Sequence, residues 1–254
     1  MCRHLAYLGA PATLRSVIIG PPHGLYRQAW APRFQQHGSV NADGFGVGWY
    51  ADGDPEPARY RRAGPIWADE SFADLARVTR SGAILAAVRD ATLGSAAGAA
   101  AAAPFAWGRW LFSHNGRIDG YPESAAGLAG TLPAATLLRL EARVDSALLW
   151  ALVADRLRRG LAPGQALADT CGALRAAGVT GRFNFLLTDG QVIAATAAGD
   201  TLFCRRSPDA LIIASEPGDD EPGWAEVPDD SVVTATAGNV QVTGLPSDER
   251  IAIR

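Results

Sequence analysis

Lysine is absent from this chain: all 23 basic residues are arginine. That absence excludes mechanisms built on a lysine amine, among them the P-loop phosphate clamp, the protein-kinase site and the pyridoxal Schiff base. Cysteine is scarce. Cys2, Cys171 and Cys204 are too few and too scattered for a disulfide framework, which points to a reduced compartment. No window approaches the ~18 uninterrupted apolar residues of a membrane span. The nearest candidate, residues 96–103, is an alanine-rich run closed by Pro104. A signal peptide is not expected, because Pro11 and Arg15 break the first apolar stretch and no basic segment precedes it. An excess of one charge is missing too. Twenty-six acids stand against 23 bases for a net charge of −3, leaving no electrostatic footprint for nucleic acid or an anionic membrane.

The common catalytic signatures G-x-S-x-G, H-E-x-x-H, C-x-x-C and G-x-x-x-x-G-K are also absent. Cys2 and His4 would share one face of a strand, but no second ligand cluster completes a metal site around them. The expectation is a cytoplasmic protein with no cofactor, no metal, no nucleic-acid partner and no membrane contact. Its oligomeric state is not legible.

What is present suits a folded core. The chain has 254 residues, 48% of them hydrophobic, enough to bury roughly 70–75% of the unfolded surface without a metal or disulfide staple. Short runs rich in β-branched and aromatic residues, each closed by Gly, Asp or Pro, predict ten strands. They lie near residues 3–8, 44–50, 84–89, 110–114, 183–188, 191–196, 201–205, 210–214, 232–236 and 240–243. Thr188-Asp189-Gly190-Gln191 reads as a hairpin turn. Two helices are predicted: 146–159, with Leu148, Leu149, Leu152, Val153 and Leu157 along one side, and 163–178, opened by Pro163. Residues 94–103 and 121–135 read as surface loops. Hairpins with helices grouped between them indicate an α+β fold, taken as one domain over residues 2–254.

Gly44-Phe45-Gly46-Val47-Gly48 has the glycine content of a phosphate loop but leads into Trp49-Tyr50 and an Asp52-Gly53 turn. It reads as a strand whose glycines permit close backbone packing.

Cys2 is the most informative residue. Met1 precedes a small side chain, a context in which the initiator methionine is normally removed. Removal would leave a cysteine carrying both a thiol and an α-amine that titrates near ~7.7–8.0. Nucleophile and general base then sit on one residue, although a cysteine at position two can also be an accident. Arg89 ends a predicted strand and suits a bidentate grip on a carboxylate. Asn115 and Gly116 end another, and an amide NH₂ followed by a backbone N–H is a natural donor pair for an oxyanion. Asp145 opens the long helix either as an ordinary N-cap or as the receiver of a substrate ammonium.

Five segments occur together in order: Met1-Cys2-Arg3-His4-Leu5, Asn41-Ala42-Asp43-Gly44-Phe45-Gly46, Val88–Gly94, Ser113-His114-Asn115-Gly116 and Val144-Asp145-Ser146. In combination they resemble the class II glutamine amidotransferase family. The later stretch Ala214-Ser215-Glu216-Pro217 through Trp224 extends the resemblance to a branch of amidohydrolases that remove a γ-glutamyl group from a small molecule.

The resemblance implies a four-layer α-β-β-α sandwich of two mainly antiparallel sheets, the N-terminal nucleophile hydrolase fold. It implies Cys2 as nucleophile and base, and Asn115 with Gly116 as oxyanion hole. Arg89, assisted by Thr92, would hold the glutamyl α-carboxylate and Asp145 its α-ammonium. Asp90 and Leu93 depart from the Trp and His usual in sugar-phosphate members. His114 reads as structural. Asp219, Asp220, Glu221 and Trp224 either fold over the mouth of the site or form a solvated acidic turn. The alternatives to an amidohydrolase are a glutaminase subunit that supplies ammonia to a separate synthase, and a scaffold that has lost its chemistry.

Overall fold

The computed structural model describes residues 2–91 and 96–246. Its strands, in chain order, begin with β1 (Arg3–Thr13), β2 (Gly44–Trp49), β3 (Ala58–Arg62), β4 (Arg80–Arg89), β5 (Phe105–Trp107) and β6 (Trp110–Ile118). They continue with β7 (Gly181–Thr188), β8 (Ile193–Ala197), β9 (Phe203–Arg206), β10 (Ala210–Ala214), β11 (Trp224–Glu226), β12 (Ser231–Ala235) and β13 (Val240–Gly244). Seven build one sheet in the order β11-β9-β10-β1-β4-β2-β3, and six build the other in the order β13-β12-β8-β7-β6-β5. The pairings within both sheets are antiparallel.

The alternation of side chains along β1 sets the layering. Ala6 and Leu8 point inward and join Leu85, Leu111, Leu186, Ile193 and Ile213 in an apolar layer between the sheets. Leu5 and Tyr7 point outward and pack with Leu14, Ile18, Leu25 and Phe72. On the far side of the second sheet, Phe112, Phe185 and Leu187 pack against the helices Asp145–Arg158 and Pro163–Ala176. The result is the helix-sheet-sheet-helix sandwich that the family resemblance implies.

The glycines of β2 act as the sequence suggests. A Cβ on Gly46 would lie 2.2 Å from the Ala103 carbonyl oxygen, and one on Gly48 would lie 2.6 Å from Leu111 Cδ1. Bare backbone lets β6 of the second sheet approach at Gly48, and the segment that leads into β5 approach at Gly46.

Several expected elements differ. Residues 121–135 are not an open loop: Glu123–Ala125, Ala126–Ala129 and Ala134–Leu137 form short helical segments. Within the alanine run, Ala99–Ala101 is a 3₁₀ turn, and Ala101 and Ala102 are buried, so small side chains fill space at the sheet edge. The β7–β8 connection is longer than a two-residue hairpin; Asp189 Oδ1 accepts the N–H groups of Gln191 and Val192, and Gly190 takes φ +89°. The helix Asp145–Arg158 is buried on all sides from Ala147 to Ala154, because it lies between the second sheet and Pro163–Ala176.

Candidate active site

Register brings the separated motifs together. Arg3 pairs with Val88 across β1 and β4, so Cys2 lies beside Arg89 at one end of the sandwich. Asn115 and Gly116 approach from β6 on the opposing sheet, and Asp145 begins the helix packed beyond it. Cys2, Arg89, Gly116, Tyr121 and Asp145 line one cleft of about 710 Å³.

Cys2 is half-buried, and its backbone N–H donates to Asn115 Oδ1 at 3.2 Å. That bond turns the Asn115 amide so that Nδ2 is buried without a partner among the described residues. A buried amide donor left unmade costs about 1–3 kcal/mol, which an incoming oxyanion would recover. Gly116 follows at φ +149°, and a Cβ there would meet the Arg182 carbonyl oxygen at 2.0 Å. Only glycine fits this position. Burial pushes the Cys2 thiol up in pKa; the Asp90 backbone amide bonded to it and the Arg89 guanidinium oppose the rise, and Asp145 adds to it.

Arg89 donates from NH2 to the Ala96 carbonyl at 3.1 Å and from NH1 to the Asp43 carbonyl at 3.4 Å, which fixes the plane of its guanidinium at the cleft wall. Asp43 clamps the same segment twice more. Its N–H donates to the Arg89 carbonyl at 2.9 Å, and its Oδ2 accepts the Ala91 N–H at 2.8 Å. Thr92, the expected assistant to Arg89, lies outside the described residues.

Asp145 is not the N-cap of its helix; Val144 holds that position. The carboxylate instead bridges two elements, with Oδ2 accepting the Ile118 N–H at 3.0 Å and Oδ1 accepting the Ser146 N–H at 2.7 Å. Asp145 lines the cleft, and the lone pairs not used by these two amides are left to accept from a ligand there.

Two histidines flank this layer. His4 Nδ1 lies 3.1 Å from Ser113 Oγ, and His114 Nδ1 lies 2.9 Å from Ser146 Oγ. Burial lowers both pKa values, with Arg3 also acting on His4, and both rings are neutral near pH 7.

The acidic segment after β10 does not cover the cleft. Asp219 pairs with Arg205 at 2.5 Å and accepts from Trp224 Nε1 at 2.9 Å, while Asp220 pairs with Arg33 and His23, each at 2.8 Å. Arg205, Arg33 and His23 hold the acids against the opposite face of the first sheet, and none of the four residues Asp219, Asp220, Glu221 and Trp224 lines the cleft. Ser215 and Glu216, from the same motif, brace β1 from below. Ser215 Oγ accepts the His4 N–H at 3.0 Å, and fully buried Glu216 faces Arg3 Nε at 3.9 Å while accepting the Arg33 and Phe34 N–H groups.

Sequence reasoning assigned no role to Asp43 or Ser146, and did not identify Tyr121 or Arg143 as lining residues. Asp43 and Ser146 stand inside the quoted motifs, so a signal was present; Tyr121 and Arg143 carry none.

Residues 28–210 match the family model described as glutamine amidotransferases class-II. The chain is 42% identical over 245 residues to the gamma-glutamyl-hercynylcysteine sulfoxide hydrolase of Mycolicibacterium smegmatis, covering 96% of this chain and all of that one. It is also 42% identical over 245 residues to the protein of that name from Mycobacterium tuberculosis (strain H37Rv), covering 96% of this chain and 97% of the relative. Among solved structures, a glutamine aminotransferase class-II domain protein from Silicibacter pomeroyi superposes with a TM-score of 0.67 at 26% identity, over 97% of this chain and all of that one.

Proposed function

The chain belongs to the class II glutamine amidotransferases, and on that premise we propose that it hydrolyses the γ-glutamyl amide of γ-glutamyl-hercynylcysteine sulfoxide to glutamate and hercynylcysteine sulfoxide. The observation that carries the mechanism is the Asn115 amide, whose oxygen accepts the Cys2 N–H while its nitrogen is buried without a partner among the described residues.

In the proposed reaction, Met1 is removed and the freed Cys2 amine takes the thiol proton. The sulfur attacks the γ-carbonyl carbon. Charge that develops on the carbonyl oxygen is met by Asn115 Nδ2–H and the Gly116 N–H. The ammonium of Cys2 then protonates the leaving amine as the carbon–nitrogen bond breaks, leaving a γ-glutamyl thioester. Water, deprotonated by the same amine, attacks the thioester and releases glutamate and the thiol. Arg89 holds the α-carboxylate and Asp145 the α-ammonium throughout, so the scissile carbonyl is fixed by its own head group.

A cytoplasmic location belongs to the same proposal, because the nucleophile is a free thiol. The deciding comparison is kcat/KM for the sulfoxide conjugate against free glutamine under identical conditions. The conjugate is expected to be strongly preferred. Equal or better turnover of glutamine, with ammonia released, would make the protein an ammonia donor instead.

A further inference from the structure

His114 Nε2 lies 2.9 Å from the Arg182 carbonyl oxygen, and His114 Nδ1 lies 2.9 Å from Ser146 Oγ. A carbonyl only accepts, so the Nε2 position must carry the ring proton. Burial keeps the ring neutral, which leaves Nδ1 as a bare acceptor. The one hydroxyl proton of Ser146 is then committed to Nδ1. Yet Ser146 Oγ also lies 3.3 Å from Asp145 Oδ1, within reach of a bond to the carboxylate.

We propose that His114 and Ser146 are positioning residues for recognition of the substrate ammonium. His114 draws the Ser146 hydroxyl proton away from Asp145 Oδ1, and the carboxylate keeps an acceptor site open toward the cleft. Without the histidine acceptor, the hydroxyl would turn to Asp145 and compete with the ammonium for the same lone pair. The chain of partners runs from the Arg182 carbonyl through His114 to the Ser146 hydroxyl, and Asp145 Oδ1 is left with the Ser146 backbone N–H. This inference rests on the reading that Asp145 receives the α-ammonium of a γ-glutamyl substrate.

His114 has a second neighbour that the experiment must separate. A Cβ on Gly116 would lie 2.7 Å from His114 Nε2, so the ring also backs the glycine assigned to the oxyanion hole. Loss of the ring is therefore expected to lower kcat independently of Ser146, whereas the effect on KM should depend on Ser146.

The first test needs no disruptive variant. Histidine-selective ¹⁵N NMR near pH 7, on protein simplified by His23→Gln and His37→Gln, reads the tautomer directly, with His114 identified by its proximity to the Phe185 ring 5.5 Å away. A protonated Nε2 and bare Nδ1 support the relay; an Nδ1–H tautomer overturns it. The second test is kinetic. His114→Phe is expected to raise KM for a γ-glutamyl amide roughly ten-fold, about the worth of one charge-assisted hydrogen bond, and to raise it no further in a Ser146→Ala background. An equal rise in both backgrounds contradicts the proposal. If the wild-type protein turns over no γ-glutamyl amide, the proposed function fails while the NMR result still decides the relay. If it does turn them over and His114 carries the Nδ1 proton, the relay alone fails.

Discussion

The Cys2 N–H donates to Asn115 Oδ1 at 3.2 Å, across the gap between the two sheets. This bond ties the nucleophile's own backbone to the side chain assigned to stabilise its transition state. It sets the amide's orientation, and so leaves Nδ2, not Oδ1, available as a donor.

Asn115→Ala is therefore expected to lower kcat ~10²–10³-fold with little change in KM, the loss associated with one oxyanion donor. Asn115→Asp keeps the acceptor for Cys2 but replaces the donor with a negative oxygen, and should be at least as damaging. Steady-state kinetics on purified variants, with circular dichroism to confirm folding, decide the matter. A wild-type rate in Asn115→Ala would remove the residue from the mechanism.

Arg89 and Asp145 are expected to read the glutamyl head group as a zwitterion. Substrate analogues with the α-amine acetylated or the α-carboxylate amidated should be rejected by the wild-type enzyme. Asp145→Asn should relax rejection of the first, and Arg89→Ala rejection of the second. Truncating one side of a buried charge pair typically costs ~2–5 kcal/mol of binding. Indifference of the wild-type enzyme to both modifications would place the head-group pocket elsewhere.

Asp43 holds the segment behind Arg89 through three backbone contacts, of which only the Ala91 N–H bond uses its side chain. Asp43→Ala should loosen the Arg89–Ala91 turn and raise KM ~3–10-fold, the range of one lost hydrogen bond to a charged acceptor, with a smaller effect on kcat. Asp43→Asn retains an acceptor oxygen and should restore most of the loss. A fall in kcat alone, with KM untouched by either variant, would show that Asp43 acts somewhere other than the substrate clamp.

Stability should fall as the solution is acidified below about pH 6.5. Burial lowers the folded-state pKa of His4 and of His114 beneath the unfolded value near 6.5. Above that pH neither state holds the proton, and the two rings contribute no pH dependence. Below it the unfolded chain binds protons that the folded protein does not, so each ring costs about 1.4 kcal/mol per pH unit until its own folded pKa is reached. Asp200, whose pKa burial raises against the pull of Arg182 and Arg3, acts in the opposite sense at more acid pH. Urea midpoints at pH 7.5, 6.5 and 5.5 should show a plateau and then a decline. A midpoint that holds constant down to pH 5.5 would contradict buried neutral histidines.

The fold was legible where burial alternates along the sequence. Ala210–Ala214 is a strand within its expected bounds, and Pro163 opens its helix as read. Elements at the periphery were not legible. β3 is Ala58-Arg59-Tyr60-Arg61-Arg62, an edge strand whose charged side chains pair with Glu141 and Asp69, so no apolar alternation marks it. The helix Glu70–Val78 was also missed, although Asp69 caps it by accepting the Phe72 N–H; its buried face is only Phe72 and Ala76.

For the site, local residue chemistry singled out Cys2, Arg89, Asn115 and Asp145, but their convergence depends on register between strands far apart in the chain. That register is fixed by tertiary packing and leaves no local mark. The two readings of Asp145 show the limit plainly. A carboxylate at the start of a helix suggests a cap, and only the position of Ile118 on β6 reveals that it reaches across to another element.

The central claim is that Cys2 acts as an N-terminal nucleophile, and intact mass measured beside turnover tests it most directly. The account predicts that active protein has lost Met1, and that a preparation retaining Met1 or an N-terminal tag is inactive toward γ-glutamyl-hercynylcysteine sulfoxide, since an amide-linked Cys2 has no amine to take the thiol proton. Full activity in a preparation whose mass shows Met1 still attached would contradict it.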